Sequence, residues 1–282
     1  NGAASNRWSQ GPVEEEVRLK QQGVMREIRI IHMQRSGGHA IANWIVHQCG
    51  GNAFFVNDVC NPTVVDVMRN RKPHVPREAE AIVYTVEDQP LQGIPARLSE
   101  AARFLPILSD PSPIVVIVLR DVFNMIASRW AYKRTSGGCQ LGNVNHRVIE
   151  TWNQYATVFF YAQHGIGSRM GIECLPASYN AWCQSAAYRC LLWQTLSSPA
   201  FGLQGEFTDA GRQEVTTWGC GSSFDGMEWN GMADRMDTLH RYQRVPVEIF
   251  DCVDPQAAML TEAIFGLRIK LPDKEYQDAS QD

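Results

Sequence analysis

Between Ile28 and Gln48 three kinds of segment follow one another without a spacer. Ile28-Arg29-Ile30-Ile31-His32 is apolar, Met33-Gln34-Arg35-Ser36-Gly37-Gly38 is a short turn, and His39-Ala40-Ile41-Ala42-Asn43-Trp44-Ile45 is amphipathic. The first reads as a buried strand. Ile41, Trp44, Ile45 and Gln48 recur at helical spacing, so a helix follows the turn. A strand that feeds a helix this tightly aims backbone N–H groups, the positive helix end and the Arg35 guanidinium at one spot. That arrangement suits a phosphate or sulfate group, and Gly37 and Gly38 let the backbone approach it closely. The Gly-Lys-Ser/Thr ending of a Walker A loop is missing.

A second strand–helix junction lies further along. Asp110-Pro111-Ser112-Pro113 leads into Ile114-Val115-Val116-Ile117-Val118-Leu119, then Arg120-Asp121-Val122-Phe123-Asn124-Met125-Ile126-Ala127-Ser128. An unbroken apolar run reads as a strand buried on both faces. Arg120 stands at its C-terminal end, Asp121 is placed to cap the next helix, and Ser128 falls two turns into it.

The Arg35-Ser36-Gly37 core, with Arg120 and Ser128 eight residues apart, resembles the two nucleotide-binding motifs of sulfotransferases that use 3′-phosphoadenosine-5′-phosphosulfate (PAPS). An Arg in place of the usual loop Lys is similar to the carbohydrate and bacterial branches. The resemblance spans about residues 27–270. It implies that Arg35 and the backbone of Ser36, Gly37, Gly38, His39 and Ala40 hold the 5′-phosphate end, that Arg120 and Ser128 hold the 3′-phosphate, and that 3′-phosphoadenosine 5′-phosphate (PAP) is the product. No metal is implied. Trp218-Gly219-Cys220-Gly221-Ser222-Ser223-Phe224-Asp225 matches in position the late loop that wraps the 3′-phosphate. The usual Arg-Lys-Gly is absent there, so Ser222, Ser223 and the backbone would replace those charges. The Trp that stacks on adenine is also absent from the first motif, which leaves Trp218 or Phe224 for stacking.

The remaining chain alternates strand and helix signals. Ala81–Val86 reads as a strand ending in Glu87-Asp88, about 98–108 as a helix, Val148–Gln163 as a helix, 170–175 as a strand and 183–196 as a helix. This alternation implies a parallel sheet with helices on both faces. The expected fold is therefore α/β, a P-loop-like three-layer fold with a central parallel sheet. Ligands bind such sheets beyond the strand C-termini, where Arg35, Arg120, Glu87 and Tyr179 all fall. Residues 1–22, polar and carrying Glu14-Glu15-Glu16, read as a flexible tail, or in part an expression remnant, ahead of a single sulfotransferase domain over 23–282. Two Gly-rich stretches, 135–142 and 199–231, read as lids.

If the acceptor is a hydroxyl, a base must take its proton. The cytosolic branch uses a His near the end of the second strand. Here Glu87 stands there, with Asp88 next, and burial is expected to lift the Glu87 pKa toward neutrality. His39, in the donor loop, is the other candidate. Asp58 and Asp88 are expected to line the acceptor pocket, and His32 reads as a satisfied strand histidine.

Net charge is −4, which argues against nucleic acid or a polyanionic acceptor. A small neutral or cationic acceptor fits, and the bacterial branch suggests a secondary metabolite or toxin. Eight cysteines include no C-x-x-C, and no His pair has helical metal spacing, so free thiols in a reducing cytoplasm are expected. No apolar run approaches the roughly 20 residues needed to span a membrane. Two other classes fit the motifs, a P-loop-like nucleotide kinase or hydrolase and a non-catalytic nucleotide-binding module.

Overall fold

A computed structural model of the chain describes residues 26–50, 52–61, 63–64, 79–103, 113–135, 145–167, 173–217 and 221–269. The expected tail 1–22, Trp218 and most of the 135–142 stretch lie outside the described residues. The chain is α/β, built on a sheet of five parallel strands. In chain order these are β1 (Arg26–His32), β2 (Ala53–Val56), β3 (Ala81–Glu87), β4 (Ile114–Leu119) and β5 (Leu175–Ser178). They lie side by side as β2-β3-β1-β4-β5. From β1 the chain runs out to the β2 edge, returns to β3, then crosses β1 to reach β4. The reversal at β1 opens a crevice beyond the strand C-termini, where such sheets bind ligands.

Strand alternation sorts the core into two layers. Ile28 and Ile30 of β1, Ala81 and Val83 of β3, and Val116 and Val118 of β4 face one side. There they meet α1 (Gly38–Gln48), α5 (Tyr179–Gln184) and α6 (Ala186–Leu196). Ile31, Tyr84, Val86, Ile117 and Leu119 face the other. That layer holds α2 (Ile94–Ala102), α3 (Val122–Thr135), α4 (His146–Gln163) and α7 (Pro255–Phe265). Ile41, Trp44, Ile45 and Gln48 of α1 are all buried. Trp44 sits edge-on to Trp182 and Trp193 at 6.3 and 6.4 Å. Each such aliphatic or aromatic side chain contributes roughly 1.5–3 kcal/mol by leaving water.

The predicted boundaries move where capping overrides periodicity. Asp121 does cap α3, accepting from Asn124 N at 2.8 Å. The single helix expected over 183–196 is instead two, because Ser185 is extended and its hydroxyl caps α6 by accepting from Tyr188 N. The strand expected over 170–175 is β5 at Leu175–Ser178. Pro176 is tolerated there because β5 is an edge strand. The helix expected over 98–108 starts earlier, at Ile94 with Pro95 in its first turn. The apolar stretch Ala53–Val56 forms β2, which alternation alone did not mark. The first part of the 199–231 segment is pinned to α1. The Gln48 side chain accepts from Thr208 N at 2.7 Å and donates to Thr208 O at 2.5 Å. No helix among the described residues is long and apolar enough to cross a membrane.

Candidate functional site

The turn after β1 closes on Met33. Ser36 N and Ser36 Oγ both donate to Met33 O, at 3.1 and 2.7 Å. Arg35 and Gly37 both take positive φ, 66° and 88°. The first intrahelical bond of α1 runs from Ile41 N to Gly37 O. The N–H groups of Gly38, His39 and Ala40 therefore precede it and open on the crevice, as at any helix start. Ser36 is the exception to the expected set, since its N–H and hydroxyl are spent closing the turn. From below, Asp88 braces the turn by accepting from Gln34 N at 2.9 Å and pairing with Arg129. Asp88 thus supports the loop and does not line the cavity.

A cavity of about 310 Å³ opens at this point. Arg35, Gly37, Gly38, His39, Ala40, Asp58, Glu87, Arg120, Ser128, Tyr179, Ser222 and Ser223 all line it. Phe224 is not among its described lining residues. The Phe224 ring is faced by Arg241 and Arg244, at 5.1 and 4.6 Å, so it braces cations where stacking on adenine was expected. Tyr179 is buried, stacks on Trp182 and stands under the Arg120 guanidinium at 5.3 Å. A Cβ on Gly37 would meet the Tyr179 ring at 2.0 Å.

Two buried guanidinium groups meet at one hydroxyl. Arg120 Nη1 donates to Ser128 Oγ at 2.9 Å and to Arg35 O at 3.1 Å, and Nη2 donates to Thr238 O. Arg241 Nη1 reaches the same Ser128 Oγ at 3.3 Å. Its Nη2 donates to Ser222 Oγ at 2.8 Å and pairs with Asp225 at 3.2 Å. Burial first, and then the charge of Arg120, lower Arg241 to about 10. Arg120 Nε and Ser223 Oγ are buried and make no hydrogen bond among the described residues. Like charges held together with unsatisfied donors are stabilised by an anion. Arg35, in the same cavity, lies 3.6 Å over the Tyr132 ring and donates to Gly221 O at 3.0 Å. Arg241, Thr238 and Tyr132 carry no periodicity or motif signal in the sequence, and long-range folding alone brings them here.

The opposite lining is acidic. Glu87, at the end of β3, is 6 % exposed. Its Oε1 lies 2.7 Å from His39 Nε2, which is also 2.5 Å from Asn57 Oδ1. Burial pushes Glu87 up, as expected from the sequence. The His39 contact and the charge of Arg35 outweigh it and hold the carboxyl at about 2. The expectation of a neutral-range Glu87 is therefore corrected: it is a fixed carboxylate. His39 moves the other way. Burial lowers it, but the Glu87 contact and the Asn57 hydrogen bond prevail, and its pKa is raised. His39 Nδ1 makes no hydrogen bond among the described residues.

Asp58 N donates to Thr85 Oγ1 at 2.7 Å, while its Oδ1 accepts from Glu87 N at 3.3 Å. Burial, then the Glu87 charge, push its carboxyl up to about 7. The pair carries one fixed negative charge, on Glu87. Because the Asp58 pKa in the unfolded chain is about 3.9, the folded state binds this proton more tightly. Stability from this group is complete below about pH 4 and is lost as pH rises through 7. Asp58→Asn removes the penalty. Its melting temperature should exceed that of the parent at pH 8, with the gap closing toward pH 5. A gap that is constant across that range would show that Asp58 does not titrate there.

Sequence spacing gave no metal set, yet the fold brings His32, His39 and Glu87 together with one ligand atom each within 4.8 Å of the others. Among the described cysteines, Cys49, Cys60, Cys174, Cys183 and Cys190 are free thiols. Comparison with protein-family models and with curated proteins gives no match to the chain.

Proposed function

We propose that the protein transfers a sulfuryl group from PAPS to a hydroxyl or amine of a small acceptor, in a P-loop-like fold. The observation that carries this reading is the meeting of Arg120 and Arg241 at Ser128 Oγ, in one cavity with the Arg35 turn and the start of α1. PAPS has two anionic ends, and the cavity offers two cationic clusters joined by the Arg120–Arg35 hydrogen bond. The carboxylates of Glu87 and Glu214 also line the cavity and favour a neutral or cationic acceptor.

In this mechanism Arg120, Arg241, Ser128 and Ser222 hold the 3′-phosphate. The N–H groups of Gly38, His39 and Ala40 hold the 5′-phosphate. The acceptor oxygen attacks sulfur in line, a new S–O bond forms, and the bond from sulfur to the bridging phosphate oxygen breaks. Arg35 offsets the charge that grows on that oxygen, and preorganised donors of this kind are commonly the largest catalytic contribution. The acceptor proton goes to His39 Nδ1. Glu87 fixes the opposite edge of the ring and stabilises the imidazolium that forms, as a carboxylate does for the histidine of a hydrolytic triad. The base role therefore passes from Glu87 to His39, because an acid held near 2 is too weak a base for the task.

Binding of PAP tests the donor assignment. Arg120→Ala should weaken PAP by about 10- to 100-fold, the cost of about 1.5–3 kcal/mol for a lost hydrogen bond to a charged group. Adenosine 5′-monophosphate, which lacks the 3′-phosphate, should bind the variant and the parent alike. Equal losses for the two nucleotides would remove Arg120 from the 3′-phosphate. Incubation with PAPS and an acceptor panel, read by mass spectrometry, tests the transfer itself. Binding of PAP without sulfation of any acceptor would favour a nucleotide-binding module.

A further inference from the structure

His32 lines the cavity but has no part in sulfuryl transfer. It is 1 % exposed, and its Nδ1 lies 2.9 Å from Met33 O. A carbonyl only accepts, so Nδ1 carries the ring proton and Nε2 carries a lone pair. Nε2 makes no hydrogen bond among the described residues. It faces Glu87 Oε1 at 3.7 Å, and His39 Nε2 approaches the same oxygen at 2.7 Å. Two electron-pair donors turned toward each other in a buried place are stabilised by a cation between them.

We propose that His32 Nε2, His39 Nε2 and Glu87 Oε1 bind one divalent transition-metal ion of the zinc type, with its remaining position open to the cavity. Three protein ligands and one open position are the usual set for a reactive zinc ion. Two imidazoles with one carboxylate favour zinc or a neighbouring transition metal over magnesium and calcium, which prefer oxygen ligands throughout. Bond lengths of about 2.0–2.2 Å require His39 and Glu87 to part slightly from their 2.7 Å contact. The outer contacts fit as well. The Nδ1–H of His32 donates to a backbone carbonyl, which fixes tautomer and ring plane as in known metal-binding histidines. Gly38 makes the room: a Cβ there would stand 2.2 Å from the His32 ring.

The site does not depend on the donor being PAPS. If both readings hold, the metal takes the place of the proton on His39 Nε2 and leaves Nδ1 protonated, so the ion slows transfer. The test is uptake of Co²⁺ and Zn²⁺ by the metal-stripped full chain, by visible absorption and calorimetry. One ion per chain is expected, with a spectrum of nitrogen and oxygen ligands. His32→Ala should lose saturable uptake while still binding PAP, and Glu87→Gln should lose it too. Should His32→Ala also lose PAP, the milder His32→Asn is measured in the same way. No stoichiometric uptake by the parent chain, a thiolate-to-cobalt band in the near ultraviolet, or undiminished uptake by the His32 variants would each overturn the site. Metal uptake without PAPS turnover, or turnover without uptake, separates the failure of one reading from the failure of the other.

Discussion

His39→Ala should lower turnover with PAPS about a hundredfold or more, on the usual scale for loss of a general base, while PAP binding changes little. His39 has the geometry for the role. It opens α1 beside the donor site, its ring is held by Glu87 and Asn57, and its pKa is raised. Glu87→Gln keeps the shape but removes the charge that supports the imidazolium. It should also slow turnover, and because Glu87 raises the His39 pKa, the acidic limb of the rate profile should move to lower pH. Steady-state rates across the pH range decide the matter. Full loss in Glu87→Gln with activity retained in His39→Ala would make Glu87 the base.

Gly37→Ala should have a large structural effect. The residue holds φ at 88° as the N-terminal boundary of α1, and a Cβ would sit 2.0 Å from the Tyr179 ring. A left-handed conformation costs an L-residue about 1–2 kcal/mol, and a forced contact in a packed site costs about 1–3 kcal/mol. Together they should lower the melting temperature by roughly 10 °C for a domain of this size. They should also displace Tyr179 from Arg120 and weaken PAP. Thermal denaturation and PAP titration of the variant check both. A variant with the parent's melting temperature would mean that the turn can relax away from Tyr179.

What the sequence determined by itself was local. Apolar runs marked β1, β3 and β4, and helical spacing marked the buried face of α1, because those patterns follow from backbone geometry alone. The Gly-Gly turn and the Asp121 cap were legible for the same reason, since each is chemistry within a few residues. Arg35, Arg120 and Ser128 were legible because they lie at fixed steps from strand ends. The edge strands were not: β2 and β5 are four residues each, too short to show a period. Nor was anything that depends on residues far apart in the chain. Arg241 meets Ser128 across 113 positions, and Phe224 is occupied by Arg241 and Arg244 in a way no spacing announces. The charge state of Glu87 was misjudged because burial is visible in an apolar strand, whereas the compensating cations are not. His32 and His39 lie at the end of one strand and the start of one helix, and Glu87 at the end of another strand. Parallel pairing of β1 with β3 sets His32 opposite Glu87. Only that register turns an unpatterned pair of histidines and a glutamate into one cluster, because ligand distances are set by strand pairing and not by separation along the chain.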